Sequence, residues 1–278
     1  MISYAQNHED VLLNRVFAEV EIGTYVDVGA GSPTSLSVSC HFYQKGWKGA
    51  NVEPRPDMFA QLVQHRPRDI NLKVGIANRA SEMVFFRIEV APAPLPGGEG
   101  GGLSTFSRAA AEAARSQYPG AVIEESLVRV VTLTDVFSEY RLEEVSFLKI
   151  DVEGFEREVI EGMDWTRWRP IVLVIEAIDP VTKMQAHDKW EQLLLGQGYL
   201  FASFDGLNRY YVRAENRELL ERFRAPVNCL DDYTPFQQVM LEGEVDRLTE
   251  ILYSFGPMPV KFLTTMRRFR SKASKLFR

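Results

Sequence analysis

Short apolar runs alternate with amphipathic ones over the first 200 residues. Residues 24–30 (TYVDVGA) read as a strand running into a glycine turn. Residues 50–53, 72–77, 129–133 and 145–151 predict further strands, and the unbroken apolar run at 171–178 (IVLVIEAI) predicts a buried one. Residues 83–88 (MVFFRI) read as one arm of a hairpin, and 200–204 with 209–212 as a late hairpin around Asp205-Gly206. A helix is predicted over 7–20, with Asn7 placed to cap it and Val11, Leu12, Val16 and Phe17 at helical spacing. Further helices are predicted at 41–47, 57–65, 108–117, 133–140, 153–163 and 183–196.

This alternation predicts an α/β fold, with a largely parallel sheet and helices on both faces. Ligands of such sheets bind at the carboxyl ends of strands. The glycine- and proline-rich stretch 91–102 predicts a flexible loop. After residue 214 the pattern changes to helical segments at 217–223 and 235–255, then to a basic end. The expected organisation is a core over 1–214, a C-terminal helical appendage over 215–256 and a tail over 257–278.

Charge sharpens the picture. The net charge of −6 disfavours a nucleic-acid partner. Residues 256–278 nonetheless carry seven basic residues and no acidic one. In this tail Phe262, Leu263, Met266, Phe269, Leu276 and Phe277 interleave with the cations. That composition suits either peripheral contact with an anionic membrane surface or a solvated helix. No basic leader and no apolar run of about 20 residues is present, so a cytoplasmic protein is expected. Cys40 and Cys229 are isolated and read as small buried hydrophobes, and the histidines lack zinc spacing.

Residues 26–33 (VDVGAGSP) carry the first candidate chemistry. Gly29, Ala30 and Gly31 form a turn through which backbone approaches a ligand. A dinucleotide fingerprint requires Gly or Ala where Thr34 stands, and Asp27 would face a pyrophosphate. S-adenosylmethionine has no phosphate and carries an ammonium and a sulfonium, so Asp27 favours it. Glu53 ends the next strand 22 residues after Gly31, where a carboxylate accepts bonds from ribose hydroxyls. Ile76 and Ala77, at the end of the third strand, are placed near the adenine.

Residues 148–156 (LKIDVEGFE) deliver Asp151 and Glu153 to a strand end, and Glu176 reaches a comparable level on the following strand. These three are the candidate catalytic residues; capping of the next helix is the competing role for Asp151 and Glu153. Methyl transfer to a hydroxyl calls for a general base, which a carboxylate supplies. A divalent metal held by the same carboxylates is possible but not expected, and no metal ligand is assigned. His8 lies near the presumed mouth, and His187 reads as solvated. Trp190, Tyr210 and Tyr211 suit either a polyhydroxylated ligand or the core.

Together, SYAQNHEDVLL at 3–13, YVDVGAGSP at 25–33, VEP at 52–54, LSTF at 103–106, LKIDVEGFE at 148–156 and VLVIE at 172–176 resemble the FkbM family of methyltransferases over residues 3–215. The resemblance implies a Rossmann-like class I methyltransferase fold with a seven-stranded sheet, and O-methylation of a sugar, glycan or glycosylated natural product. It implies that Gln6 and its neighbours fold over the donor. Asp27, Gly29, Gly31 and Glu53 would bind that donor, and Asp151 would sit close to the reacting methyl. The stretch 96–102 and the chain beyond 256 depart from the family pattern. A nicotinamide-dependent oxidoreductase and a non-catalytic nucleoside-binding module are the rival readings. Oligomeric state is left open.

Overall fold

The computed structural model describes residues 1–90 and 102–254. The basic tail, and all of the stretch 96–102 except Gly102, lie outside the described residues. In chain order the elements are β1 (Ile2–Ser3), α1 (Glu9–Val16), β2 (Thr24–Val28), α2 (Cys40–Gln44), β3 (Lys48–Val52), α3 (Pro56–His65), β4 (Ile70–Leu72), β5 (Gly75–Ile76) and β6 (Ser81–Glu89). There follow α4 (Arg108–Gln117), β7 (Val122–Val131), α5 (Leu133–Glu139), β8 (Phe147–Ile150), α6 (Glu156–Glu161), β9 (Val172–Glu176) and α7 (Glu191–Gly196). The last are β10 (Tyr199–Phe204), β11 (Asn208–Arg213), β12 (Thr234–Pro235) and α8 (Phe236–Ser254).

The main sheet has seven strands in the order β10-β11-β9-β8-β2-β3-β4. It is mixed: β11 runs antiparallel to both of its neighbours, and the strands from β9 to β4 run parallel. Successive side chains point to opposite faces. Val26 and Val28 of β2, and Leu173 and Ile175 of β9, therefore join one core with Leu133, Val136, Phe137, Val159 and Ile160 of α5 and α6. Tyr25 of β2, and Val172 and Val174 of β9, join the other core with Leu12, Leu13, Val16 and Phe42 of α1 and α2. Helices thus cover both faces.

Several elements differ from their sequence expectations. The strand expected over 72–77 is split between two sheets. Ile70–Leu72 joins the main sheet, whereas Gly75–Ile76 pairs with β7 in a separate sheet of order β5-β7-β6. The hairpin partner of β6 is β7, paired from Ser81↔Val130 to Glu89↔Val122. It begins at Val122 because its largely exposed first residues pair with β6 without burying an apolar face. Helix α1 starts at Glu9, and Asn7 does not cap it. The Asn7 side chain instead donates to the Asp205 carbonyl (3.1 Å). Residues 183–196 supply only a 3-10 turn, His187–Lys189, and the six-residue α7. Trp190, Tyr210 and Tyr211 are 2 %, 0 % and 0 % exposed and belong to the core, so they offer no surface to a glycan. Cys40 is buried as expected, whereas Cys229 is exposed in a 3-10 turn.

The segment after residue 214 packs on the same core as the strands: Phe223 is buried against it, with Leu219, Leu220 and Val227 beside it. Arg15 of α1 clamps this segment through paired bonds to Asp231 (2.8 and 2.6 Å). Strand β1 pairs with β12. Among the described residues no helix is long and apolar enough to cross a membrane.

Candidate active site

The carboxyl ends of β2, β3, β8 and β9 open onto one cavity of about 490 Å³. Strand register explains the convergence. Val28 pairs with Val52 and with Ile150, and Ile150 pairs with Ile175, so the next residues on each strand share one edge. Gly29–Gly31, Glu53, Asp151 and Glu176 all reach the cavity from that edge. Gln6, Ile76 and Glu153 also line it. Asp27 and Ala77 do not; they stand behind the wall.

Asp27 corrects the charge argument made from sequence. Its carboxylate is 1 % exposed and accepts from the Ser39 hydroxyl (2.6 Å). Asp27 is the register partner of Lys149 on β8, on the same face of the sheet, and the Lys149 ammonium lies 3.3 Å from it. That ammonium also donates to the Gly29 carbonyl (2.8 Å) and lies 3.3 Å from Asp151. Burial works against the charged lysine, but Asp151 and Asp27 outweigh it and hold its pKa above the usual range. Asp27 is therefore neutralised from within the protein and its charge does not reach the cavity alone. Sequence reasoning missed Lys149. The available signal was a charged residue in the middle of the apolar strand FLKI.

Glu53 is 5 % exposed and organises the turn. Its two oxygens accept from the Gly31 and Arg55 backbone N–H groups, both at 2.8 Å. A carboxylate oxygen has two acceptor positions, so each retains capacity for a further donor. Burial raises the Glu53 pKa, and those N–H bonds oppose the rise. Gly29 and Gly31 both take left-handed backbone, with φ of 76° and 57°. Only Gly31 is open to the cavity on its Cβ side; Gly29 is turned toward the Asp151 backbone.

The loop after β8 is built around a second carboxylate system. Asp151 is the more open member, its side chain 35 % exposed. Glu153 and Gly154 have φ of 54° and 91°, which delays helix α6 until Glu156. Glu156 accepts from the Val152 and Gly154 N–H groups (3.3 and 3.0 Å), and burial pushes its pKa up to about 7. From the opposite side the Thr105 hydroxyl donates to the Glu153 carbonyl (2.9 Å). Glu153 and Glu176 both titrate well above the ordinary carboxylate range. Burial is the first cause; for Glu153 the Asp151 charge adds to it, and for Glu176 the Glu153 charge does. Glu176 Oε2 is buried without a hydrogen-bond partner. One oxygen from each of Asp151, Glu153 and Glu176 lies within 4.8 Å of the others, a spacing that would also admit a metal ion.

Gln6 reaches the cavity because its strap is pinned on both sides. Asp10 accepts from the Ser3 hydroxyl (2.7 Å) and the Tyr4 N–H (2.6 Å), while Glu9 accepts from the Asn7 N–H (2.8 Å) and from Asn208 Nδ2 (2.8 Å). His8 sits in left-handed backbone beside Ser3 and Tyr233 and does not line the cavity. The far wall comes from the second sheet: Phe85 of β6, and Leu103, Thr105 and Phe106 of the segment that bridges to Phe86.

Comparison with protein families matches residues 27–201 to the methyltransferase FkbM domain. The chain belongs to the FkbM methyltransferase family. The match begins at Asp27, near the end of β2, and takes in the glycine turn, β3, β8 and β9 with Glu53, Asp151, Glu153 and Glu176. The strap bearing Gln6 precedes it. This FkbM methyltransferase has no significant match among curated proteins.

Proposed function

We propose that this methyltransferase uses S-adenosylmethionine and methylates a hydroxyl of a sugar, glycan or glycosylated natural product. The observation that carries the reading is the convergence of the Gly29–Gly31 turn, Glu53 and the Asp151–Glu153–Glu176 cluster on one cavity. Its volume lies within the range of small-molecule sites. Glu53 has acceptor capacity left for two ribose hydroxyls. Asp151, with Glu153 and Glu176 beside it to ionise when a cation arrives, makes the far end attractive to a cation and hostile to a pyrophosphate, rather than Asp27.

S-adenosylmethionine, when bound, supplies an electrophilic methyl on a sulfonium. Gln6 and the turn would hold its amino-acid end, Glu53 its ribose, and Ile76 would border the adenine. Asp151 would lie on the side of the positive sulfur. The Glu176 carboxylate, once ionised, would take the hydroxyl proton of the acceptor. A carboxylate whose pKa is raised is the stronger base for that step. Positioning within the closed wall of Phe85 and Phe106 adds the larger share of the acceleration. The polar cavity wall of Asp151, Glu153 and Lys183 suits a polyhydroxylated acceptor.

Calorimetric titration with S-adenosylmethionine and with NAD tests the donor. Binding of NAD without binding of S-adenosylmethionine would overturn the reading. Transfer of isotopically labelled methyl to a panel of saccharides and glycolipids, read by mass spectrometry, tests the acceptor; labelling of nitrogen rather than oxygen would overturn it. For the tail, we expect co-sedimentation with anionic liposomes that is lost when residues 257–278 are removed. Equal binding of both forms would sink the membrane contact.

A further inference from the structure

We infer that Lys149 is the positioning residue of the donor site, fixing the Asp151 carboxylate and the Gly29 carbonyl in one arrangement. The inference rests on the donor proposed above. Three observations support it. The Lys149 ammonium is buried in the wall of the cavity and touches three groups that belong to two different strand ends. Asp27 is locked by Ser39 as well as by the lysine, so it serves as the fixed post. Asp151, by contrast, has a side chain that is 35 % exposed, and apart from the lysine it is held only by its carboxyl neighbours, Glu153 and Glu176.

The geometry separates anchoring from charge. Lys149 and Asp27 cancel as a pair, so Asp151 alone carries the net charge of the triad. A purely electrostatic lysine would oppose a sulfonium. A positioning lysine aids it, by presenting Asp151 where the positive sulfur lies. The same ammonium draws the Gly29 carbonyl away from the ligand and holds the turn that leads to Gly31.

The test removes both members of the pair. Lys149→Met alone leaves Asp27 as a buried unpaired carboxylate and is expected to destabilise the chain strongly. Lys149→Met combined with Asp27→Asn restores charge balance and keeps an acceptor for Ser39. This double variant is expected to melt close to the wild type. The readout is the ratio of affinities for S-adenosylmethionine and S-adenosylhomocysteine by calorimetry, because these ligands differ at the charged sulfur. In the wild type the cationic ligand is favoured. In the folded double variant that preference is expected to fall about tenfold, equivalent to about 1.4 kcal/mol. A folded double variant with an unchanged or increased preference would overturn the positioning role while leaving the donor assignment intact. A wild type that binds neither ligand would overturn the donor assignment, and this inference with it.

Discussion

Gly29 packs its backbone directly against Asp151: a Cβ placed on Gly29 would lie 1.8 Å from the Asp151 carbonyl oxygen. The turn after β2 and the loop after β8 are thus in direct main-chain contact. Gly29→Ala meets this clash together with a φ of 76°. We expect it to cost roughly 3 kcal/mol or more in denaturant unfolding. Gly31→Ala, with φ of 57° and nothing within 4 Å, should cost only about 1–2 kcal/mol. Its effect should appear instead in the affinity for S-adenosylmethionine.

Glu53 joins the same turn to β3, and its two oxygens have the same task. Glu53→Gln replaces one acceptor by an NH₂ group, which then faces a backbone N–H. Donor affinity is expected to fall roughly tenfold to hundredfold, the scale of a lost hydrogen bond to a charged group. Calorimetry with S-adenosylmethionine checks this. Wild-type affinity in the variant would remove Glu53 from the ribose site.

Donor binding should release protons. Burial and mutual repulsion raise the Glu153 and Glu176 pKa values in the free protein, so these groups hold protons above the ordinary carboxylate range. A cation arriving beside them favours the ionised form and lowers those values. Affinity for S-adenosylmethionine should therefore rise with pH across the range in which they titrate. Titration in two buffers of different ionisation enthalpy measures the number released. S-adenosylhomocysteine, with a neutral sulfur, should release fewer.

The strap that carries Gln6 should also respond to pH. Glu9 is pushed up to about 7, first by burial, with the Asp205 charge adding to the rise. A carboxyl raised in the folded state binds its proton more tightly there than in the unfolded chain. Its contribution therefore favours folding at low pH and is lost as pH rises from the unfolded value through about 7. Glu9→Gln removes this dependence. Between pH 5 and 7 the difference in unfolding free energy between wild type and variant should change by about 2 kcal/mol. Parallel stability profiles would show that Glu9 is not the group responsible.

Chelation is expected to leave donor binding unchanged. The Asp151–Glu153–Glu176 spacing admits a cation, but Lys149 already faces Asp151, and the raised pKa values of Glu153 and Glu176 favour their protonated forms. Titration of S-adenosylmethionine before and after EDTA treatment, and after adding magnesium, checks this. A loss restored by magnesium would assign the cluster to a metal.

Local pattern made much of this site legible. The glycine turn, Glu53 and Asp151 follow apolar strands, and a strand's last residue must lie at a sheet edge whatever the neighbours are. Family motifs then ordered those edges. Less was legible wherever one segment depended on a distant one. The run 72–77 looks continuous, but β7 draws Gly75 and Ile76 into another sheet. Residues 122–128 are mostly exposed and show no apolar period, yet they pair with β6 from Met83 to Glu89.

The carboxylate at position 27 shows where the division falls. Its place near the end of an apolar strand, two residues before Gly29, is a property of the local order of residues, because alternation and turn chemistry act over a few positions. What it does there depends on Lys149, 122 positions later along the chain and directly across in the sheet. Only packing β2 beside β8 puts an ammonium against that carboxylate, turning the charge expected to greet the ligand into a buried anchor. The carboxyl groups that face the cavity are instead Asp151, Glu153 and Glu176, brought together by two strand ends and a left-handed turn. Electrostatics acts through space, so its outcome was decided when the strands were paired.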